Sequence, residues 1–485
     1  MSNSSTFWHP GWSVLVPFLA LTALFYCPEE RRLPVTLLSA SVYALLQWLL
    51  PLCRWRRDNY FCPINVALGL LLLKLCLIPV LVMTTGPLSR VLSFLPTYSS
   101  MQGSILIDTV AYVAFCIGLT LAPRQLLWSN SPVLRTALSL CPHHWYILLF
   151  LAIGLLGFGS MFRHPAELFL YFQDPASMTE MKENMEGTWT GLLTTILRPF
   201  LAFGLVAWWA NSKDSGSPAW RSSLVGLVAV VGITIANLTF SFNRAAFVFP
   251  LLCLAAVYNA RVRRIPFGVT ILAVALFMPL LIAIGSYRST PETGGASAET
   301  TLAEAANDVS ENLQAYAGGP QYTAIFYDRI GWGERPYGGS TLIASVMSPI
   351  PVLGKSFRET SGPALFNLAI YGTLGIEDQI IPFSAELFAN FHLPGVIFGF
   401  FLLAMFLSQA ERWFVASQSM FFSFFVQYIS LWVAMLAVWS AAIVSQIAIY
   451  FFVPIYFYLG SLYTLAWLKG FQRRSLAPAL VGTAQ

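Results

Sequence analysis

Charge is scarce in this chain: 10% of its residues are Asp, Glu, Lys or Arg, against roughly a quarter in an average soluble domain. An ordinary water-exposed globular surface cannot be built from so little charge. The net charge of +5 belongs to no Lys/Arg-rich domain, so it is no nucleic-acid footprint and no nucleic-acid partner is expected. All seven cysteines, at positions 27, 53, 62, 76, 116, 141 and 253, precede residue 285, which excludes a disulfide framework in the long polar segment that follows. The histidines, at 9, 143, 144, 164 and 392, are scattered. With no Cys/His cluster, no Walker loop and no dinucleotide glycine pattern, an ATP-driven pump and a zinc membrane protease are disfavoured, and neither a metal nor another cofactor is expected. There is no repeat at fixed spacing and no matching pair of Gly/Pro-broken helices of the kind that marks many secondary transporters. The N-terminus lacks a basic region and a small-residue cleavage site, so the stretch from Trp12 to Tyr26 reads as a retained first helix.

What is abundant is apolar: 57% of the residues are hydrophobic and the mean hydropathy is +0.67. The fold class that follows is an all-α polytopic membrane protein. A span needs ~20 mainly apolar residues, and on that measure there are about twelve segments. They lie at 12–26, 33–52, 64–83, 105–121, 145–162, 192–210, 223–240, 245–258, 267–284, 393–407, 420–441 and 447–468. With twelve spans, Arg54, Arg56, Arg57, Arg124, Arg135, Lys213, Arg221, Arg261, Arg263, Arg264, Arg412, Lys469, Arg473 and Arg474 fall on one side. The positive-inside rule then makes both termini cytoplasmic. The expected organisation is a membrane domain over 1–284 with spans one to nine, a large, partly helical extracytoplasmic loop over 285–392, spans ten to twelve over 393–469 and a cytoplasmic tail over 470–485.

The loop between spans nine and ten is the expected working part, because connections this long are usually functional or disordered. Its second half holds Phe326, Trp332, Leu342, Phe357 and Phe366, enough apolar surface to pack. Thr301 and Glu304 have capping-box spacing, and Leu302, Ala305, Val309, Leu313 and Tyr316 recur at helical intervals before Gly318-Gly319, which predicts an amphipathic helix. Its acidic face reads more readily as solvated surface than as a catalytic site. Beyond it, Tyr322, Tyr327, Trp332 and Tyr337 mix aromatic faces with polar groups. Such faces stack on sugar rings, and they equally form a membrane-interface belt.

Cations stand at the outer ends of helices. Arg198 lies inside the sixth apolar segment, where a charge costs ~2.5–3.5 kcal/mol at mid-span and less near an end. Arg244 occupies the tight turn between segments seven and eight, and Arg288 leaves the ninth. Three guanidinium groups on one face can share a diphosphate, since each binds phosphate oxygens bidentately; the alternative is three snorkelling anchors. Lys355 and Arg358 follow two prolines further along. Glu386 and Asn390, four residues apart, share a face if helical, just before the next apolar segment. Glu386 suits a general base there, and equally a structural partner for Arg198 or Arg244. Asp378 and His392 are the neighbouring alternatives.

The sequence resembles the Wzy-type oligosaccharide repeat unit polymerases. The resemblance rests on Asn243-Arg244-Ala245, Gly285-Ser286-Tyr287-Arg288, Gly338-Gly339-Ser340, Pro349-Ile350-Pro351, Gly354-Lys355 and Ala385-Glu386-Leu387-Phe388-Ala389-Asn390-Phe391 with Gly395. It covers about 192–406. Where the family often has Asn-Phe-Gly, this chain has Asn390-Phe391-His392, so His392 is either chemically active or a stand-in for glycine. The resemblance implies transfer of a growing glycan from a polyprenyl diphosphate donor to a lipid-linked acceptor on the outer face of the bacterial cytoplasmic membrane. It implies Arg198, Arg244, Arg288, Lys355 and Arg358 around the diphosphate, and Glu386 with Asn390, Asp378 or His392 at the acceptor hydroxyl. It also implies membrane lipid around the helices, and a flippase and a chain-length regulator as partners. An O-antigen ligase, more often dependent on a loop histidine, and a lipid-linked oligosaccharide transporter are the alternatives.

Overall fold

A computed structural model describes residues 10–55, 60–87, 96–123, 125, 142–159, 189–214, 218–241, 244–266, 268–269, 272, 310, 313–331, 335–350, 354–371, 381–465 and 467. Every regular element among the described residues is helical. Five helices are long and apolar enough to cross a membrane: Pro63–Thr85, Tyr98–Leu121, Gly191–Lys213, Phe383–Ala416 and Met420–Ala437. A sixth is obtained if Ala441–Tyr450 and Val453–Leu465, bent by 55°, count as one span. Val14–Tyr26, Val35–Leu49, His144–Gly159, Trp220–Ile235 and Val248–Arg261 are apolar but shorter, below the ~20 residues a straight span needs. The expected ninth span, at 267–284, and the tail at 470–485 lie almost wholly outside the described residues.

Proline stands at breaks in the long helices. It removes a backbone N–H, and its ring crowds the carbonyl four residues earlier. Before Pro79, the Ile78 amide reaches back to Leu73 O, five residues away, which makes 73–77 a π turn inside Pro63–Thr85. Arg198 stands between Trp189–Leu197 and Pro199–Asp214, where Pro199 starts the second helix. Pro394 lies just after His392, whose φ of 55° and ψ of −153° divide Phe383–Ala416 into a short helix, 383–391, and a long one.

The chain forms two compact units. The first comprises Met1–Arg124, Gly295–Glu411 and Ile429–Ile449. In it Tyr43 and Tyr112 stack at 4.8 Å, and the Tyr43 hydroxyl donates to Leu68 O at 3.1 Å. The helix Pro320–Gly331 lies along Tyr98–Leu121, with the Ser100 hydroxyl donating to Asp328. Thus the described part of the expected outer loop is a set of helices packed into this unit. Tyr322, Phe326, Phe366, Ile381, Ala385 and Ala389 form a buried cluster there, consistent with apolar content too high for a disordered connection. Of the amphipathic helix expected from Leu302 to Tyr316, residues 313–316 are helical and 301–309 lie outside the described residues.

The second unit comprises Gln125–Gly294, Arg412–Tyr428 and Tyr450–Gln485. Aromatic rings fill its described interior. Phe203 meets Phe424 at 5.6 Å and Tyr428 at 5.8 Å, and Phe150 meets Phe200 at 5.3 Å, all edge-on. Edge-to-face pairs add ~0.5–1.5 kcal/mol each beyond the area they bury.

Candidate functional site

Among the described residues, a concentration of buried polar groups surrounds the short helix 383–391 in the first unit. Ser384, Glu386 and Asn390 are all buried, with Glu386 at 0% exposure and Asn390 at 1%. Three clamps hold them.

The first clamp ends the helix. The Asn390 carbonyl would normally pair with the amide four residues on, but that residue is Pro394 and has none. The loop at 337–339 supplies the missing donors: Tyr337 N–H to Ala389 O at 3.1 Å and Gly338 N–H to Asn390 O at 3.1 Å. Gly338 and Gly339 have φ of 59° and 91°, values that side chains beyond glycine resist, so the pair is what lets this turn aim consecutive amides at a helix end. Asn390 completes it: its Oδ1 accepts from Gly339 N–H at 3.0 Å, while its Nδ2 donates to Thr341 Oγ1 and to Glu386 O.

The second clamp holds the Glu386 carboxylate. Oε1 accepts from the Ser345 hydroxyl at 2.6 Å and Oε2 from the Ala441 amide at 3.0 Å, at the start of Ala441–Tyr450. Ser345 Oγ in turn accepts from Gly362 N–H at 3.1 Å. Gly362 opens Gly362–Tyr371 and lies so close that a Cβ there would sit 2.4 Å from Oε1. One helix start thus donates to the carboxylate directly, through the Ala441 amide, and a second donates to the Ser345 hydroxyl that bonds it, an arrangement suited to an anion. A hydroxyl and a backbone amide thus partner the Glu386 carboxylate.

The third clamp is ionic. Lys74, on the π turn, lies 2.9 Å from Asp108 Oδ1. The Lys74 ammonium donates to Ser384 Oγ at 2.6 Å, and that hydroxyl donates to Asp108 Oδ1 at 2.6 Å.

Of the other expected site residues, Asp378, Trp332 and Arg288 lie outside the described residues. Tyr322 is buried against Phe366 at 5.6 Å and presents no open face for a sugar. Tyr327 is 40% exposed and stacks on Phe388 at 6.2 Å. Tyr337 is half-buried and spends its amide on the helix cap. Lys355 opens the short helix Lys355–Arg358, whose Arg358 is exposed. His392 sits at the helix break, its ring edge-on to Phe388 at 5.6 Å. In the second unit, Arg244 opens Arg244–Arg261. Arg198 is half-buried in a recess with Pro199, Phe203, Pro250, Tyr428 and Phe451, its guanidinium 5.2 Å from the Phe451 ring centre. That is cation–π distance.

Sequence reasoning did not assign Lys74, Asp108, Thr341, Ser345, Ser384 or Ala441 to the site. Lone serines carry no signal, and the Ala441 partner is a backbone amide. Among the described residues no group of three or more His, Cys, Asp and Glu could hold a metal. No family model matches the chain, and it matches no curated protein and no solved structure.

Proposed function

We propose that the chain is a membrane glycosyltransferase that polymerises lipid-linked oligosaccharide repeat units, moving the growing glycan from polyprenyl diphosphate to the non-reducing end of a new lipid-linked unit. One observation carries the reading: a buried carboxylate, Glu386, accepts a hydrogen bond from an alcohol, Ser345, at 2.6 Å. The acceptor is also an alcohol. If its hydroxyl takes the place of the Ser345 hydroxyl, Glu386 lies within reach of the proton to be removed, which is the first requirement of a general base. The acceptor oxygen then bonds to the donor's anomeric carbon as the bond to diphosphate breaks, and the proton goes to Glu386. Asn390, on the same helix face, orients the acceptor. The leaving diphosphate gains negative charge, which arginines stabilise when preorganised; Arg198, Arg244 and Arg288 are assigned to it, with Lys355 and Arg358 as further cations. Tyr327, Trp332 and Tyr337 are assigned to the sugars.

The proposed setting is the bacterial cytoplasmic membrane, with about twelve spans of ~20 residues, both termini inside and the 285–392 region outside. The partners are the two lipid-linked substrates, membrane lipid, a flippase and a chain-length regulator. A second reading, transport of a lipid-linked oligosaccharide, is favoured by the Lys74–Asp108 pair buried within two candidate spans, where transporters keep their coupling charges.

A deletion strain separates these readings. A polymerase loss leaves single lipid-linked units, with one unit still attached to its final acceptor. A ligase loss leaves long unattached chains, and a transporter loss strands units on the cytoplasmic face. In the polymerase case Glu386→Gln keeps shape without proton-accepting power, so chain growth falls by ~10²–10⁴ at normal protein level. Near-normal growth in that variant removes the base assignment and leaves Asp378 or His392 to test.

A further inference from the structure

Lys74, Asp108 and Ser384 are 2%, 2% and 0% exposed, and they close a ring of three contacts of 2.6–2.9 Å. Two of the corners are charges inside candidate spans, Pro63–Thr85 and Tyr98–Leu121. Removing ions from water costs about as much as their mutual attraction returns, so a buried pair is a poor device for stability alone. It does set register, because a slipped neighbour leaves an uncompensated buried charge. Lys74 also lies on a π turn, a distortion that recurs at functional sites. The third corner, Ser384, is on the short helix two residues before Glu386.

We propose that Lys74, Asp108 and Ser384 form a latch that fixes the position of the short helix 383–391, and through it the Glu386 carboxylate and the Asn390 cap. As positioning residues they touch no substrate; their bearing on catalysis rests on the polymerase reading above, while their mechanical role does not. The 383–391 helix is a rod of two to three turns, ~13 Å long at 1.5 Å per residue. With its first turn released, the rod shifts as a body. The contacts that report the shift lie at its far end and side: the amides of Tyr337, Gly338 and Gly339, and the Ala441 amide on Glu386.

The test is amide hydrogen exchange on the full-length protein in lipid nanodiscs, read by mass spectrometry for peptides covering 337–339 and 441, with Tyr98–Leu121 as the internal reference. Ser384→Ala removes the hydroxyl and leaves the Lys74–Asp108 pair in place. It speeds exchange at 337–339 and 441 by roughly tenfold or more, the range expected on losing a hydrogen bond to charged partners, and leaves the reference unchanged. The double variant Lys74→Met with Asp108→Leu replaces the pair by apolar side chains, a change that proteins often tolerate without loss of stability. It produces the same local loosening. Native exchange at both peptides in both variants overturns the latch, and so does a uniform acceleration that includes Tyr98–Leu121, because the ring then supports only general stability. Polymer length in the same strains tests the other reading separately. Local loosening with normal chain growth keeps the latch and removes the short helix from catalysis; local loosening with shortened chains supports both.

Discussion

Substitution at His392 gives a prediction whose sign is unusual. The residue has φ 55° and ψ −153°, close to a region of backbone space that is essentially reserved for glycine, and holding another residue there costs of order 1–3 kcal/mol. His392→Ala keeps that strain and loses the edge-on ring contact with Phe388 at 5.6 Å, worth ~0.5–1.5 kcal/mol. His392→Gly also loses the ring but relieves the strain, at a cost of ~0.5–1 kcal/mol from the greater freedom of glycine in the unfolded chain. The strain relieved, less that cost, makes the glycine variant the more stable by ~0–2.5 kcal/mol, centred on ~1 kcal/mol. At an ordinary helix position the order is reversed, with alanine better by ~1 kcal/mol. Thermal unfolding of the three proteins in one detergent, followed by intrinsic fluorescence, gives the ranking. An alanine variant more stable than the glycine variant would mean that residue 392 is helical, and the account of the break before Pro394 would fail with it. Chain growth in the same variants is the second readout: His392→Gly with full chain growth leaves the ring no chemical role.

Other expected outcomes follow from single contacts. Gly362→Ala places a methyl 2.4 Å from Glu386 Oε1, so it destabilises by ~1–3 kcal/mol as overpacking does, read as a lower unfolding midpoint in detergent; an unchanged midpoint refutes the close packing around the carboxylate. Arg198→Ala abolishes polymer at normal protein level if the guanidinium binds diphosphate, and Arg198→Lys rescues poorly because an ammonium lacks the planar fork. If Arg198 serves only its packing on Phe451, the alanine variant lowers protein yield and the remaining protein has normal activity. For topology, a cysteine at Ser297 reacts with an impermeant thiol reagent added to intact cells and one at Val262 does not; labelling at Val262 ends the twelve-span assignment.

The class of the protein was legible from composition. When so few residues are charged, long apolar helices follow from the need to satisfy every backbone group away from water, and among the described residues five helices, or six with one bent pair, are long and apolar enough to cross a membrane. The breaks at Pro79, Pro199 and Pro394 were not read from the sequence, where 64–83 and 192–210 stand as unbroken segments. Proline alone does not decide them, since Pro17 and Pro250 lie inside helices. The pairing of Glu386 with Asn390 on one face came from their spacing alone. What they touch did not. Ser345 lies 41 residues from Glu386, Ala441 lies 55 away, and Lys74 lies 310 from Ser384. Contacts of that separation are made by packing, and no local pattern encodes them. The burial of polar groups in the region expected as an outer loop was hidden for the same reason: Ser345, Glu386 and Asn390 are buried and satisfy one another. A one-dimensional reading counts polarity; only the tertiary structure decides whether a polar group finds its partner in water or in protein.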